Sequence, residues 1–262
     1  MAPMTAYDDS GEGPAVIMVH GLGLNRHMWQ WQLPALLPEF RTITYDLFGH
    51  GDSAKPAGPY DMQRMVGQLA ELMSALNIDR AALVGFSLGG LIVRAFALAH
   101  PDRTAALVIL NSAHARTAAQ REAIYVRVRQ ARESGPSATI DDALQRWFTT
   151  GFAEREPETL AQVREWVVAN DPAVYPELYA LLAEGDEGLE NTIACIDCPT
   201  LIVTGEDDHG NSPDMARQMT AQMPNSRAEI LKGLRHMALA EDPDAVNDLL
   251  VPFLRRNLSG LH

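Results

Sequence analysis

Residues 85–89 read Gly-Phe-Ser-Leu-Gly and lie between an apolar run and an apolar helical pattern, a combination that few folds accommodate. The preceding residues 81–84 are typical of a buried strand, and residues 90–99 are typical of a helix. Passing from strand to helix here requires a sharp turn that forces Ser87 into a strained backbone conformation. Only glycine-sized neighbours then fit at positions 85 and 89. This order is typical of a nucleophile elbow, which presents the serine hydroxyl at a helix N-terminus.

Short apolar runs and amphipathic helical patterns alternate over most of the chain. The runs predicted to be strands are residues 15–20, 41–46, 81–85, 106–110, 199–204 and 227–231. Helical spacing occurs at residues 62–76, between Ser87 and His100, and at about residues 244–258. Residues 9–14, before the first run, predict a turn. The alternation predicts an α/β fold with a doubly wound, mostly parallel sheet and right-handed crossovers.

Residues 113–190 interrupt this alternation because they contain no convincing strand. Instead, four segments separated by glycine and proline are predicted to be helical, at residues 118–133, 140–148, 157–169 and 172–183. We interpret residues 113–190 as a helical cap inserted into a core formed by residues 1–112 and 191–262. The chain has 262 residues, of which 47% are hydrophobic, which is enough for one large domain with such an insertion.

The composition argues against several classes of partner. A formal net charge of −13 disfavours nucleic acid and anionic membrane surfaces. No apolar run reaches the roughly 18 residues that a membrane span needs, and the first ten residues lack the basic and apolar regions of a signal peptide. Cys195 and Cys198 have no second ligand pair and no thioredoxin-like context. We therefore expect reduced thiols in a cytoplasmic monomer or homodimer, with no metal or other cofactor.

A serine at an elbow is a poor nucleophile unless a base removes its proton, since its own pKa lies far above 7. It needs an imidazole within hydrogen-bond reach and a carboxylate that orients the imidazole. A late predicted strand ends in three carboxylates, Glu206, Asp207 and Asp208, and the next strand is followed by His236. The carboxyl ends of parallel strands meet at one edge of the sheet, so Ser87, His236 and either Asp207 or Asp208 are candidate catalytic residues.

Residues 20–23, His-Gly-Leu-Gly, follow the first predicted buried strand. Glycines in such a loop allow backbone N–H groups to point at an oxyanion as it develops. We predict that the N–H groups of Leu22 and Leu88 are the oxyanion donors. His50 lies in a second glycine-rich loop, which follows a predicted strand. It is interpreted as structural or as lining the mouth of the site.

Taken together, these motifs resemble the α/β-hydrolase superfamily across nearly the whole chain. The motifs are residues 20–23, 46–53, 85–89, 205–208 and 233–237. The resemblance implies a catalytic triad of Ser87, Asp208 and His236, because Asp208 lies three residues after Gly205, the usual spacing of the acid in that fold. Relatives usually have a further strand before the Tyr7 region, so we expect the sheet to lack its first strand.

Two segments of the predicted cap, residues 146–152 and 170–175, are similar to segments of 3-oxoadipate enol-lactonases and related capped ester hydrolases. The resemblance implies substrate-binding roles for Arg146, Trp147 and Phe148, although packing of a cap helix accounts equally well for the two aromatic residues. An enol-lactone of a dicarboxylic acid would need a cation near the cleft. The candidate cations are Arg26, Arg94, Arg127 and Arg146.

The function expected from this resemblance is hydrolysis of a small-molecule carboxylic ester or lactone through an acyl-enzyme. The same three residues also suit a carbon–carbon bond hydrolase of ring-cleavage products or a cofactor-free perhydrolase. A non-catalytic small-molecule receptor of the same fold is a further alternative, which the complete set of catalytic residue types disfavours. Dehalogenases and epoxide hydrolases need an aspartate where this chain has Ser87.

Overall fold

A computed structural model of the chain describes residues 4–260, and a seven-stranded sheet forms its centre. The strands are β1 (Tyr7–Ser10), β2 (Ala15–Val19), β3 (Arg41–Tyr45), β4 (Ala81–Phe86), β5 (Thr104–Leu110), β6 (Thr200–Gly205) and β7 (Ser226–Leu231). They are arranged in the order β1-β3-β2-β4-β5-β6-β7. Strands β2 to β7 pair in parallel, and the predicted α/β architecture is confirmed.

Strand β1 is the one strand that the sequence pattern did not predict. It pairs antiparallel with β3, with Tyr7 opposite Tyr45, and all its residues are exposed. Its polar sequence, Tyr-Asp-Asp-Ser, has no buried face, so the apolar alternation that marks strands is missing. The turn predicted to begin at Asp9 therefore begins only after Ser10. Within residues 4–260 no strand precedes β1.

The helices lie between the strands along the chain or after the last strand, and several of them pack on the sheet. They are α1 (Leu33–Leu36), α2 (Met62–Ala75), α3 (Leu88–Ala99), α4 (Ala118–Ser134), α5 (Ser137–Trp147), α6 (Thr150–Arg155), α7 (Pro157–Val168), α8 (Tyr175–Glu184), α9 (Pro213–Gln222), α10 (Ala238–Glu241) and α11 (Pro243–Leu258). Helix α3 packs on β4 and β5, whereas α9 packs on β6 and β7. Every residue of β4 and β5 is buried, as is typical of central strands covered on both faces.

The segment between β5 and β6 contains the helices α4 to α8 and no strand. Helix α4 packs against α8 and α5, and α5 packs against α7. The short helix α6 was not among the predicted helical segments. It begins after Thr149, and the Thr149 hydroxyl accepts a hydrogen bond from the Phe152 N–H at 3.3 Å. The division of the chain into a cap, residues 113–190, and a core stays a prediction. Within the described residues no helix is both long and apolar enough to cross a membrane.

Candidate active site

Ser87 lies at a strained turn between β4 and α3. Its φ is +54° and its ψ is −112°, a conformation that residues with a side chain rarely adopt. A Cβ atom at Gly85 would lie 2.4 Å from the carbonyl oxygen of Gly89, and one at Gly89 would lie 2.0 Å from that of Val19. Both distances are too short for any side chain. The expectation that only glycine fits at these two positions is confirmed.

Asp208 and His236 are brought together from the loops that follow β6 and β7. His236 Nδ1 lies 2.7 Å from Asp208 Oδ2, and both residues are buried. Asp207 is exposed, and its backbone N–H donates to the carbonyl of Leu234. Of the two aspartates that the sequence left as candidates, Asp208 is the one that contacts the imidazole.

Several donors surround the Asp208 carboxylate besides His236. Asn111 Nδ2 donates to Oδ2 at 3.0 Å, and the backbone N–H groups of Gly210 and Asn211 donate to Oδ1 at 3.1 and 3.0 Å. Burial alone would raise the pKa of Asp208, but the charge of His236 and these hydrogen bonds outweigh it and hold the pKa below its ordinary value. The group is therefore an anion that can orient the imidazole and stabilise its cation. Sequence reasoning missed Asn111 and Asn211.

A cavity of about 300 Å³ opens beside these residues, between the sheet edge and helices α4, α5, α7 and α8. Ser87, Asp208 and His236 all line it. Within residues 4–260 no hydrogen bond joins the Ser87 hydroxyl to His236. A contact of this kind often tightens only as the reacting complex forms.

The loop of residues 20–23 lies directly against Ser87. A Cβ atom at Gly21 would be 3.1 Å from the Ser87 Cβ, so this loop approaches the serine closely. Leu22 lines the cavity, whereas the Leu88 side chain is fully buried and is not part of the lining. Within the described chain neither the Leu22 N–H nor the Leu88 N–H donates to another residue. That these two amides are the oxyanion donors stays a prediction.

Hydrogen bonds of the His20 and His50 rings connect this loop to the loop that follows β3. His20 Nε2 accepts a hydrogen bond from the Leu47 N–H at 2.9 Å, and His50 Nε2 accepts one from the Gly23 N–H at 3.0 Å. Burial lowers the pKa of both imidazoles, so they stay neutral and can act as acceptors. The position of His50 agrees with the structural role expected for it.

The three residues predicted to bind substrate differ in where they lie. Trp147 lines the cavity with its ring centroid 5.8 Å from that of His236. Arg146 also lines the cavity, and burial, followed by the nearby charge of Arg127, lowers its pKa. Phe148 does not reach the cavity lining, because it stacks on Phe152 at 5.3 Å inside the helical segment. The structure thus supports packing rather than substrate contact for Phe148.

The candidate cations also separate into two groups. Arg127 and Arg146 line the cavity. Arg26 lies outside it and pairs with Asp8, Asp46 and Asp52. Arg94 is fully buried behind Ser87.

Sequence reasoning missed one further cation, Arg116, which lines the cavity and pairs with the buried Asp186 at 3.6 Å. Its partner lies 70 residues away in the chain, so no local pattern could indicate the pair.

Comparisons with known proteins agree with this architecture. The sequence profile of the family described as "alpha/beta hydrolase fold" matches residues 14–243. An (E)-2-((N-methylformamido)methylene)succinate hydrolase from Acinetobacter baylyi is 30% identical, with 95% of this chain and 93% of that protein covered. The 3-oxoadipate enol-lactonase 2 of the same species is 29% identical, with 93% and 89% covered.

A solved structure shows the same likeness in three dimensions. The enol-lactonase from Burkholderia xenovorans superposes with a TM-score of 0.90 at 32% identity, covering 95% of this chain and 96% of that one. The residues that the profile matches include strands β2 to β7, the Ser87 turn and the helices between β5 and β6. The chain belongs to the α/β-hydrolase fold family, whose members named here are hydrolases.

Proposed function

We propose that this chain is a serine hydrolase that cleaves a carboxylic ester or lactone with Ser87, His236 and Asp208. The observation that carries the proposal is the 2.7 Å contact between His236 and Asp208 beside a cavity that Ser87 also lines. An imidazole held by a buried carboxylate is suited to remove the proton of a nearby hydroxyl. The strained turn at Ser87 presents that hydroxyl at the N-terminus of α3, where helix-end N–H groups favour negative charge.

In the proposed reaction, His236 Nε2 takes the proton of Ser87 while the serine oxygen attacks the substrate carbonyl. The carbonyl electron pair moves to its oxygen, and this oxyanion accepts hydrogen bonds from the Leu22 and Leu88 N–H groups. The carbon–oxygen bond to the leaving alcohol then breaks, and His236 gives its proton to that alcohol. Water attacks the acyl-enzyme with the same assistance from His236, which releases the carboxylic acid and restores Ser87. In a lactone the alcohol stays attached to the acyl group.

We also propose that the substrate carries a carboxylate apart from the reacting carbonyl. Arg127 and Arg146 line the cavity, and in the described part of the chain neither is paired with an acidic side chain. Two guanidinium groups facing one cavity repel each other and favour an anion between them. The relatives support this choice, since their names refer to a succinate derivative and to 3-oxoadipate.

Steady-state hydrolysis tests the proposal. Wild-type protein and the Ser87→Ala variant are assayed with p-nitrophenyl acetate, p-nitrophenyl butyrate and a panel of lactones. Ser74→Ala is the matched control, because Ser74 is an exposed serine whose hydroxyl bonds within α2. We expect turnover by wild type and control and a loss of several orders of magnitude in Ser87→Ala. Equal turnover by all three proteins would refute the proposal, and turnover of a dienoate ring-cleavage product alone would favour carbon–carbon bond hydrolysis.

A further inference from the structure

Arg94 is a buried cation behind the Ser87 turn that the proposed chemistry does not use. Its side chain is fully buried, yet within residues 4–260 it forms no ion pair. Burial, and then the charge of Arg116, lower its pKa to about 9, so it still carries a positive charge at neutral pH. Burying a cation without a carboxylate partner is costly, and a methionine of similar length would fill the space more cheaply.

The guanidinium of Arg94 connects the beginning of α3 with the residues after β5. Its Nε donates to the carbonyl of Gly90 at 3.0 Å, and its Nη2 donates to the carbonyl of Ala113 at 2.6 Å. Nη2 also donates to the hydroxyl oxygen of Ser112 at 3.3 Å. The positively charged guanidinium of Arg94 is therefore in direct contact with the Ser112 hydroxyl.

The Ser112 hydroxyl also contacts the turn at Ser87. It donates to the backbone carbonyl of Ser87 at 2.8 Å. The packing here is close, because a Cβ atom at Gly90 would lie 2.5 Å from the Ser112 Cβ. A chain of hydrogen bonds thus runs from the Arg94 guanidinium through Ser112 to the carbonyl of Ser87.

The Ser87 carbonyl belongs to the same peptide unit as the Leu88 N–H. In a trans peptide the C=O and N–H point in opposite directions and share one delocalised system. A hydrogen bond to the oxygen therefore draws electron density from the nitrogen and makes the N–H a stronger donor. It also fixes the plane of the peptide and hence the direction of that N–H.

We propose that Arg94 and Ser112 are positioning residues that orient and polarise the Ser87–Leu88 peptide, so that its N–H stabilises the oxyanion. The inference rests on the proposed function, since it assumes that Ser87 is acylated. It extends that function by assigning a role to two residues outside the cavity lining. A residue that acts in this way lowers the energy of the oxyanion without touching the substrate, so kcat depends on it while KM does not.

Two variants and a matched control test the proposal in the full-length protein. Ser112→Ala removes the hydroxyl, and Arg94→Met removes the charge while keeping most of the volume. Thr104→Val is the control, because Thr104 is a buried residue at the other end of β5 whose hydroxyl also donates to a backbone carbonyl, that of His100 at 3.2 Å. The measurements are kcat and KM with a p-nitrophenyl ester, the inhibition constant of a trifluoromethyl ketone, and the melting temperature.

We expect Ser112→Ala and Arg94→Met each to lower kcat by about 10-fold, less than the 10²–10³-fold that follows complete loss of an oxyanion donor. KM stays within about 2-fold, and the trifluoromethyl ketone, which forms an oxyanion on Ser87, binds about 10-fold more weakly. The double variant loses less than the product of the two single losses, because both residues act through one peptide. Thr104→Val changes none of these values. Retention of kcat in folded Ser112→Ala would overturn the proposal, as would equal losses in Thr104→Val.

A readout without turnover covers variants that lose stability. The backbone ¹⁵N resonance of Leu88 should shift in Ser112→Ala and in Arg94→Met, and should stay in place in Thr104→Val. An unmoved Leu88 resonance in Ser112→Ala would overturn the proposal. Labelling of wild type by a fluorophosphonate keeps the two hypotheses apart. If Ser87 is labelled and kcat is unchanged in Ser112→Ala, only the positioning role is wrong. If Ser87 is not labelled, the proposed nucleophile is wrong as well.

Discussion

His236 and Asp208 are joined by a hydrogen bond of 2.7 Å, although one residue follows β7 and the other follows β6. Parallel strands bring their carboxyl ends to the same edge of the sheet, so residues far apart in the chain can meet there. Asp207 precedes Asp208 but points to solvent. Of these two adjacent residues, only Asp208 has a carboxylate that can orient the imidazole, because the Asp207 side chain is exposed.

Asp208→Asn should therefore lower kcat far more than Asp207→Asn does. The amide cannot stabilise the imidazolium or hold its tautomer, so we expect a loss of about 10³–10⁴-fold. Asp207→Asn also removes one carboxylate charge, from the neighbouring position, and its kcat should stay within about 2-fold of the wild-type value. Ester hydrolysis by the three proteins at neutral pH checks this, and the reverse order of losses would assign the acid to Asp207.

Stability at low pH should also depend on Asp208. The pKa of its carboxyl in the folded protein lies below the ordinary 3.8. The ionised group therefore stabilises the fold above about pH 4, and this contribution is lost as the pH falls through the lowered pKa. The difference in melting temperature between wild type and Asp208→Asn should shrink below about pH 4. Thermal melts from pH 7 to pH 3 measure it, with Asp207→Asn as the control. A constant difference over that range would contradict the lowered pKa.

The cavity arginines should set the preference for an anionic substrate. Arg146→Met should raise KM for mono-p-nitrophenyl succinate by about 10-fold and change KM for p-nitrophenyl butyrate little, since one charge-assisted contact is worth about 1.5–3 kcal/mol. Arg127→Met should act in the same direction. Arg164→Met is the matched control, because Arg164 is half-exposed on α7 and pairs with Asp141 at 3.0 Å. Equal effects on both esters would exclude a carboxylate subsite at these arginines.

Two glycines provide a paired test of the turn. A Cβ atom at Gly89 would lie 2.0 Å from the Val19 carbonyl, whereas one at Gly67, inside α2, meets nothing within 4 Å. Gly89→Ala should lower the melting temperature by about 5–10 °C, because the backbone has to move. Gly67→Ala should raise stability by about 0.5–1 kcal/mol through helix propensity. A Gly89→Ala protein as stable as wild type would show that the turn tolerates a side chain.

The sequence allowed the strained serine, its glycine neighbours and the two carboxylate candidates to be predicted, because each depends on local backbone geometry or on the end of a strand. It did not allow prediction of what surrounds them. Asn111 follows β5 and donates to Asp208 from 97 residues away, so no spacing in the chain links the two residues. Phe148 and Arg146 lie two residues apart, and only the packing of α5 decides which of them reaches the cavity.

The central claim is that Ser87 is the nucleophile, and covalent labelling tests it most directly. Wild type and Ser87→Ala are treated with a fluorophosphonate, and intact mass and peptide mapping locate the adduct. A single adduct on Ser87 in wild type, absent from the variant, is the predicted result, together with loss of ester hydrolysis in the labelled protein. An adduct on another residue, or equal labelling of both proteins, would contradict the account.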